Sequence, residues 1–261
     1  MSRLIYQYWS GEMPIYAQVS KDLFTTYAEK CGAEYRFDQD PQFFKSKYSQ
    51  YYNALRPIFD PAFHHYDQVL FVDMDVVPVL GLDADIFATT RAQIAMVQEV
   101  DQPQLRSNMR GNITTKNDLR WAKVVNFFWG VQVPLDPLGR PRVYNSGVVL
   151  YSKSGLNFAR KAFASVKTYQ YLMTLVALPR FYRLDQNYLG AFVGRTGCDF
   201  SELSADWNSQ VTSISTADGK GLIMDTRTSS SKFIHMQHAK GIKNNMTRAD
   251  VLSVAAGTYR F

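Results

Sequence analysis

Runs of apolar residues and their spacing divide the chain into alternating strand-like and helix-like stretches. Arg3 to Tyr8 (RLIYQY) is a short apolar and aromatic run that predicts a first strand. After Gly11 and Pro14, the spacing from Ile15 to Lys30 predicts a helix, with Pro14 suited to a first-turn position. Glu34 to Phe37 predicts a second strand. From Tyr48 to Phe63 the apolar and aromatic positions keep helical spacing, and Pro57 is expected to bend or restart that helix. Gln68 to Val72 (QVLFV) ends at Asp73, as a buried strand of a parallel sheet does. Gln93 to Val97 predicts another short strand. Between Asp101 and Arg142 the pattern loosens, with Pro103, Gly111, Pro134, Pro137, Gly139 and Pro141 as punctuation, and a stretch of that length suggests a functional insertion. Strand character returns from Tyr144 to Ser152. Helical stretches follow near Leu156 to Thr174 and Leu184 to Phe192, and a last strand, Lys232 to His235, precedes a basic tail. Strands alternating with helices predict the α/β class, with a mostly parallel, twisted sheet covered by helices on both faces. With no internal repeat, the expectation is one domain, 1–261, carrying an insertion at 101–142.

Composition adds constraints rather than a function. Of 261 residues, 46% are hydrophobic, enough for a full core and against wholesale disorder. The formal charge is +6, but no run of five basic residues exists, so nucleic acid is not expected as a partner. Attraction to an anionic donor or to an anionic membrane face remains open. Cys31 and Cys198 lack paired spacing, which excludes a cysteine-based zinc site and suggests buried thiols in a reducing compartment. The N-terminus has no apolar run of the signal-peptide kind, and no stretch of eighteen apolar residues exists. The expected location is cytoplasmic, with peripheral contact at the inner membrane face left open.

Candidate chemistry begins where the buried strand stops, at Asp73-Met74-Asp75. In open α/β sheets, ligands sit beyond the carboxyl ends of strands. Two carboxylates at i and i+2 can share one hard cation if the backbone bends between them, and without a cation each raises the other's pKa. The same hydrophobic strand and Asp-x-Asp also resemble the first motif of haloacid-dehalogenase-type phosphohydrolases, where the first Asp is the nucleophile. That motif normally opens its domain, whereas here it lies some seventy residues in and runs into Val77-Pro78.

Later segments follow the acidic pair in a fixed order. Asn145-Ser146-Gly147 turns into a strand, Asp185-Gln186-Asn187 starts a helix, and Trp207-Asn208 lies in a loop. His235-Met236-Gln237-His238 then leads to Gly241 and Lys243. In this order, from about Tyr48 to Lys243, the chain resembles glycosyltransferase family 8 and its relatives of the GT-A fold, a Rossmann-like fold. Arg56 precedes the acidic motif at a spacing similar to that family's donor-site arginine. Ser146 departs from the usual Ala, Gly241 to Lys243 is one residue short, Pro-Trp is missing from the last motif, and Gln7 to Gly11 look more like family 32.

The resemblance implies that Asp73 and Asp75 bind Mn²⁺ or Mg²⁺, which bridges the phosphates of a nucleoside-diphosphate sugar. A histidine would complete the set, either His235 or His238; an imidazole suits Mn²⁺ better. Lys243 or Lys240 would lie near the phosphates, and Gly241 would allow close backbone approach. Gln7, Tyr8 and Trp9 would line the nucleotide pocket, with Arg56 on the donor base or sugar. Asp185 and Gln186 would touch the transferred sugar, with Asn145 orienting a hydroxyl and Glu99 a lesser sugar contact. Trp207 and Asn208 would shape the acceptor side, and the insertion would form an acceptor lid or pack on the sheet. The expected outcome is transfer with retention to a glycan, lipid-linked or protein acceptor; a non-catalytic nucleotide-sugar-binding module is the alternative.

Overall fold

The computed structural model describes residues 1–44, 49–99, 113–162, 164–215, 221–237 and 240–261. Strands β1 (Arg3–Trp9), β2 (Glu34–Gln39) and β3 (Gln68–Val72) form one side of the main sheet; β5 (Ile94–Gln98), β6 (Tyr144–Ser152) and β7 (Phe200–Leu203) form the other. The order is β2-β1-β3-β6-β5-β7. Five of these strands run the same way, and β6 lies antiparallel between β3 and β5. A second sheet, ordered β4-β10-β8-β9, is built from β4 (Val76–Pro78), β8 (Ser209–Ser215), β9 (Gly221–Asp225) and β10 (Phe233–His235). Of this sheet, the apolar pattern anticipates β10 alone, because β4 is three residues long and β8 alternates small polar residues. Strand β7 also escapes the pattern.

Alternation along the main strands sends neighbouring side chains into different cores. Leu4, Tyr6, Val69 and Phe71 enter one cluster, while Ile5, Leu70 and Val72 enter the other. Helix α1 (Ile15–Lys30) covers the second cluster with Phe24, Tyr27 and Ala28. The first is covered by α2 (Thr115–Trp129), α3 (Lys153–Ala162), α4 (Val166–Leu175) and α5 (Asp185–Val193). Helix α6 (Arg248–Ala255), in the tail expected only to be basic, packs on the second sheet and starts with a Thr247–Asp250 capping box. Among the described residues no helix is long and apolar enough to cross a membrane.

Four expectations need correcting. The loosened stretch contains α2, a 15-residue helix capped by Thr114 and ended by Gly130 at φ +64°. Its buried face is Asp118, Trp121 and Val125, while Leu119, Phe127 and Phe128 are exposed, so hydrophobicity does not mark its inner side. The helix expected at 156–174 is two, α3 and α4, because Ser165 caps a fresh start by accepting from Thr168 N–H at 3.1 Å. The stretch before β3 breaks at Pro57 and Pro61 into turns at Ser49–Tyr52, Asn53–Leu55, Arg56–Phe59 and Pro61–Phe63. Both cysteines are free and half-buried rather than fully enclosed.

Candidate active site

The chain leaves the main sheet at Val72 and enters the second at Val76, so Asp73-Met74-Asp75 is the turn between two sheets. Its backbone is held from both sides. Asp73 N–H donates to Gly147 O at 2.9 Å, and Val76 N–H to Asp73 O at 3.1 Å. Strand β10 pairs antiparallel with β4, aligning His235 with Val76, and Met236 N–H donates to Asp75 O at 2.9 Å. That register brings an imidazole 160 positions away in sequence against the second aspartate. His235 Nε2 lies 3.1 Å from Asp75 Oδ1, and Lys243 Nζ donates to Asp75 Oδ2 at 2.5 Å.

Asp73, Asp75 and His235 offer two oxygens and a nitrogen that all lie within 4.8 Å of one another. This mixed donor set fits a divalent cation such as Mn²⁺. The electrostatics agree. Burial, then Asp75 and Asp185, push the Asp73 carboxyl well above the usual carboxylate range. Burial also acts upward on Asp75, but His235 and Lys243 outweigh it and hold that carboxyl below the usual range. A positive charge beside Asp73 would relieve the repulsion that raises it.

Behind the imidazole runs a relay of amides anchored to the backbone. Gly147 N–H donates to Asn145 Oδ1 at 2.8 Å, which identifies that atom as an acceptor. Asn208 Nδ2 donates to the same oxygen at 2.8 Å, so Asn208 Oδ1 is the atom turned to His235 Nδ1, 3.0 Å away. The Nδ1 position therefore carries the proton, and Nε2 is the nitrogen turned toward Asp75. Gly147 is required here: a Cβ would stand 2.5 Å from His235 Cε1 and 2.9 Å from Asn145 Oδ1. Asn145 and Gln186 also converge on Glu99 Oε1, at 3.5 and 3.1 Å. Asp185, at the start of α5, accepts from Ser146 Oγ at 2.9 Å; burial pushes its carboxyl up to about 6, against the lowering effect of that bond.

Asp73, Asp75 and Lys243 line a cleft of about 430 Å³. Tyr8, Trp9 and Tyr16 supply its aromatic wall, and Lys243 lies 5.1 Å from the Tyr16 ring. Trp9 is braced by donation to Glu12 O at 2.8 Å, and Tyr8 by donation to Gln50 O. Of the residues singled out in the sequence, Asp73, Asp75, Lys243, Tyr8 and Trp9 therefore gather at one cleft, and His235 is buried against Asp75 beside it. Gln7 does not line it: fully buried, it donates to Ser20 Oγ and to Asp73 O, supporting the turn from beneath. Arg56 does not line it either; its guanidinium is held by Asp38 at 2.6 Å and Asp60 at 2.8 Å. Trp207 packs against Phe233 in the core. Gly241 belongs to the short helix Lys240–Lys243, and His238 lies outside the described residues. Sequence reasoning missed Tyr16 in the cleft wall, Asn208 behind the imidazole and Ser146 on Asp185. Ser146 left a signal as a departure from the family pattern, and Asn208 as half of the Trp-Asn pair expected on the acceptor side; Tyr16 left none.

Neither a family model nor a curated protein sequence matches the chain. Solved structures do. A glycosyltransferase involved in the glycosylation of the major capsid of PBCV-1 superposes with a TM-score of 0.53 at 12% identity, over 98% of this chain and 99% of that one. The galactosyltransferase LgtC, solved with donor and acceptor sugar analogues, superposes with a TM-score of 0.52 at 11% identity, over 99% of this chain and 96% of that one. At such identities the likeness is one of fold: the chain has the central sheet and flanking helices of GT-A-type glycosyltransferases.

Proposed function

We propose that the chain, acting as one catalytic domain, transfers a sugar from a nucleoside-diphosphate sugar to a glycan, lipid-linked or protein acceptor, with a divalent cation. The observation that carries this reading is the meeting of Asp73, Asp75 and His235, with both carboxylates lining an aromatic-walled cleft. The likeness in fold to glycosyltransferases supports it. When bound, Mn²⁺ or Mg²⁺ would neutralise the diphosphate leaving group as the sugar–oxygen bond breaks. Tyr8, Trp9 and Tyr16 offer flat faces to a nucleoside base. Lys243, held on Asp75, would offer a point charge to the donor's phosphates. Asp185 and Gln186 face the sugar, and the Glu99 contact orients the Gln186 amide. Because an amide is a poor nucleophile, retention is proposed to occur by front-side displacement, in which the leaving phosphate oxygen takes the acceptor's proton.

A phosphohydrolase with Asp73 as nucleophile is disfavoured by the place of the motif, which follows the third strand in chain order rather than the first. Incubation with a panel of labelled donors, with and without Mn²⁺, separates the readings. Transfer or donor hydrolysis that stops with chelator and in Asp75→Asn is expected. Metal-independent binding without turnover would mean a binding module, and release of phosphate from a monoester would mean the phosphatase. NMR of the product's anomeric proton reads the stereochemistry.

A further inference from the structure

Charge is unevenly distributed along the chain. Between Asp136 and Asp185 there is no acidic residue but eight Lys or Arg, in a protein whose total is only +6. Those residues include α3 and α4, and α2 lies against α4. Trp121 Nε1 donates to Tyr169 OH at 3.0 Å, the Trp129 ring stacks on Tyr169 at 5.7 Å, and Arg120 donates to Val176 O at the end of α4. With Trp121 and Tyr169 turned inward, the opposite sides of both helices face solvent together. On α2 this outer stripe is Lys116, Arg120, Lys123 and Phe127, spaced by four, three and four residues, which is one helical face. The acid of α2, Asp118, is on the inner side, where Tyr182 OH donates to it at 2.7 Å. On α4 the outer stripe holds Tyr171, 66% exposed, and Leu175, 64% exposed; Phe127 is 81% exposed.

We propose that this outer face of α2 and α4 docks on a bilayer carrying anionic headgroups. Cations interleaved with large apolar side chains on one face are what an interfacial helix presents: the apolar side chains enter the acyl boundary, and the basic stems lie along them with their charges at the headgroups. The missing acids matter as much as the bases present, since nearby carboxylates would be repelled by the same surface. A nucleic acid would satisfy the charge but not Leu175, which has no flat face for a base. The proposal is independent of the sugar-transfer reading, because none of these residues belongs to the cleft.

The test is co-sedimentation with vesicles of phosphatidylcholine carrying about 30% phosphatidylglycerol, against pure phosphatidylcholine, at low and high salt. At least roughly tenfold stronger binding to the anionic vesicles is expected, weakening as salt rises. Lys116→Glu with Lys123→Glu is expected to remove most of that preference, and Phe127→Ser with Leu175→Ser to weaken binding several-fold. Lys30→Glu, on α1, is expected to change little. Thermal midpoints confirm folding of each variant, and donor turnover in detergent-free buffer is expected to be unchanged. Equal binding to both vesicle types, indifference to the α2 pair, or equal binding of a single-stranded oligonucleotide would each overturn the proposal.

Discussion

The Asp73-Asp75-His235 cluster and the outer face of α2 and α4 both depend on charge, and they use it in opposite ways. At the cluster, an imidazole and a lysine lie within hydrogen-bonding distance of Asp75, with ligand atoms of Asp73, Asp75 and His235 within 4.8 Å of one another and the His235 and Lys243 side chains only 3% and 7% exposed. On the helical face, cations are spaced a turn apart in water. Buried charges interact strongly because little solvent intervenes, and each must be answered by a partner or change its protonation state. Exposed charges are screened, tolerate company of their own sign, and act only on something that arrives. One region therefore loses function with a single substitution, whereas the other should need several.

The largest effect expected is at Asp75. Asp75→Asn removes an anionic oxygen ligand and strips Lys243 of its counter-charge. Mn²⁺ affinity, read by calorimetry, should fall by about a hundredfold or more, and donor turnover should vanish. The same substitution should leave vesicle binding alone; if it did not, the two regions would not be separable.

Next comes Asn208, which touches no ligand yet fixes which nitrogen of His235 faces Asp75. Asn208→Ala should cost about ten- to a hundredfold in Mn²⁺ affinity. Nitrogen NMR of the metal-free protein should show the imidazole losing its single tautomer, while Asn208→Asp, which keeps the acceptor, should retain it. An unchanged tautomer in Asn208→Ala would show that the relay does not orient the ring.

Arg56 provides a smaller and purely structural contrast. Its fork is committed to Asp38 and Asp60. Arg56→Ala should reduce unfolding free energy by about 1–3 kcal/mol with little change in the donor KM. A large rise in KM with unchanged stability would return this residue to the donor site.

The smallest effect expected is the pH dependence set by Asp185. Its folded carboxyl is raised to about 6 by burial, from an ordinary value of 3.8. A raised carboxyl favours the folded state below its unfolded value, and that advantage is lost as pH rises through about 6. Urea midpoints of wild type and Asp185→Asn should therefore diverge in the variant's favour between pH 4 and 7. A constant difference would mean that Asp185 is not raised.

The parts of the site legible in the sequence were those where chemistry is local. Asp73 and Asp75 could be read because an apolar strand ended on them, and strand ends in α/β sheets are where ligands bind. Asp185 was visible through the resemblance to the glycosyltransferase family, and so was a phosphate-side lysine, with Lys240 and Lys243 both offered. Gln7 and Arg56 were misleading for a common reason: a polar residue near a strand end serves equally well to line a cleft or to hold a turn. Sequence spacing does not say which way a side chain faces across elements. Helix α2 stayed hidden because its exposed Leu119, Phe127 and Phe128 blur the inner face that Trp121 and Val125 define.

By itself, the sequence determined the alternation of strands and helices, the buried strand ahead of the acidic pair, and the residue types from which a cation site could be made. These follow from side-chain periodicity and from chemistry within a few neighbouring positions. Tertiary structure alone decided that His235 meets Asp75, that Asn208 and Asn145 stand behind it, and that α2 and α4 meet at Trp121 and Tyr169. Each depends on strand register or helix packing between distant segments, and one residue of slip would turn the same side chains the other way.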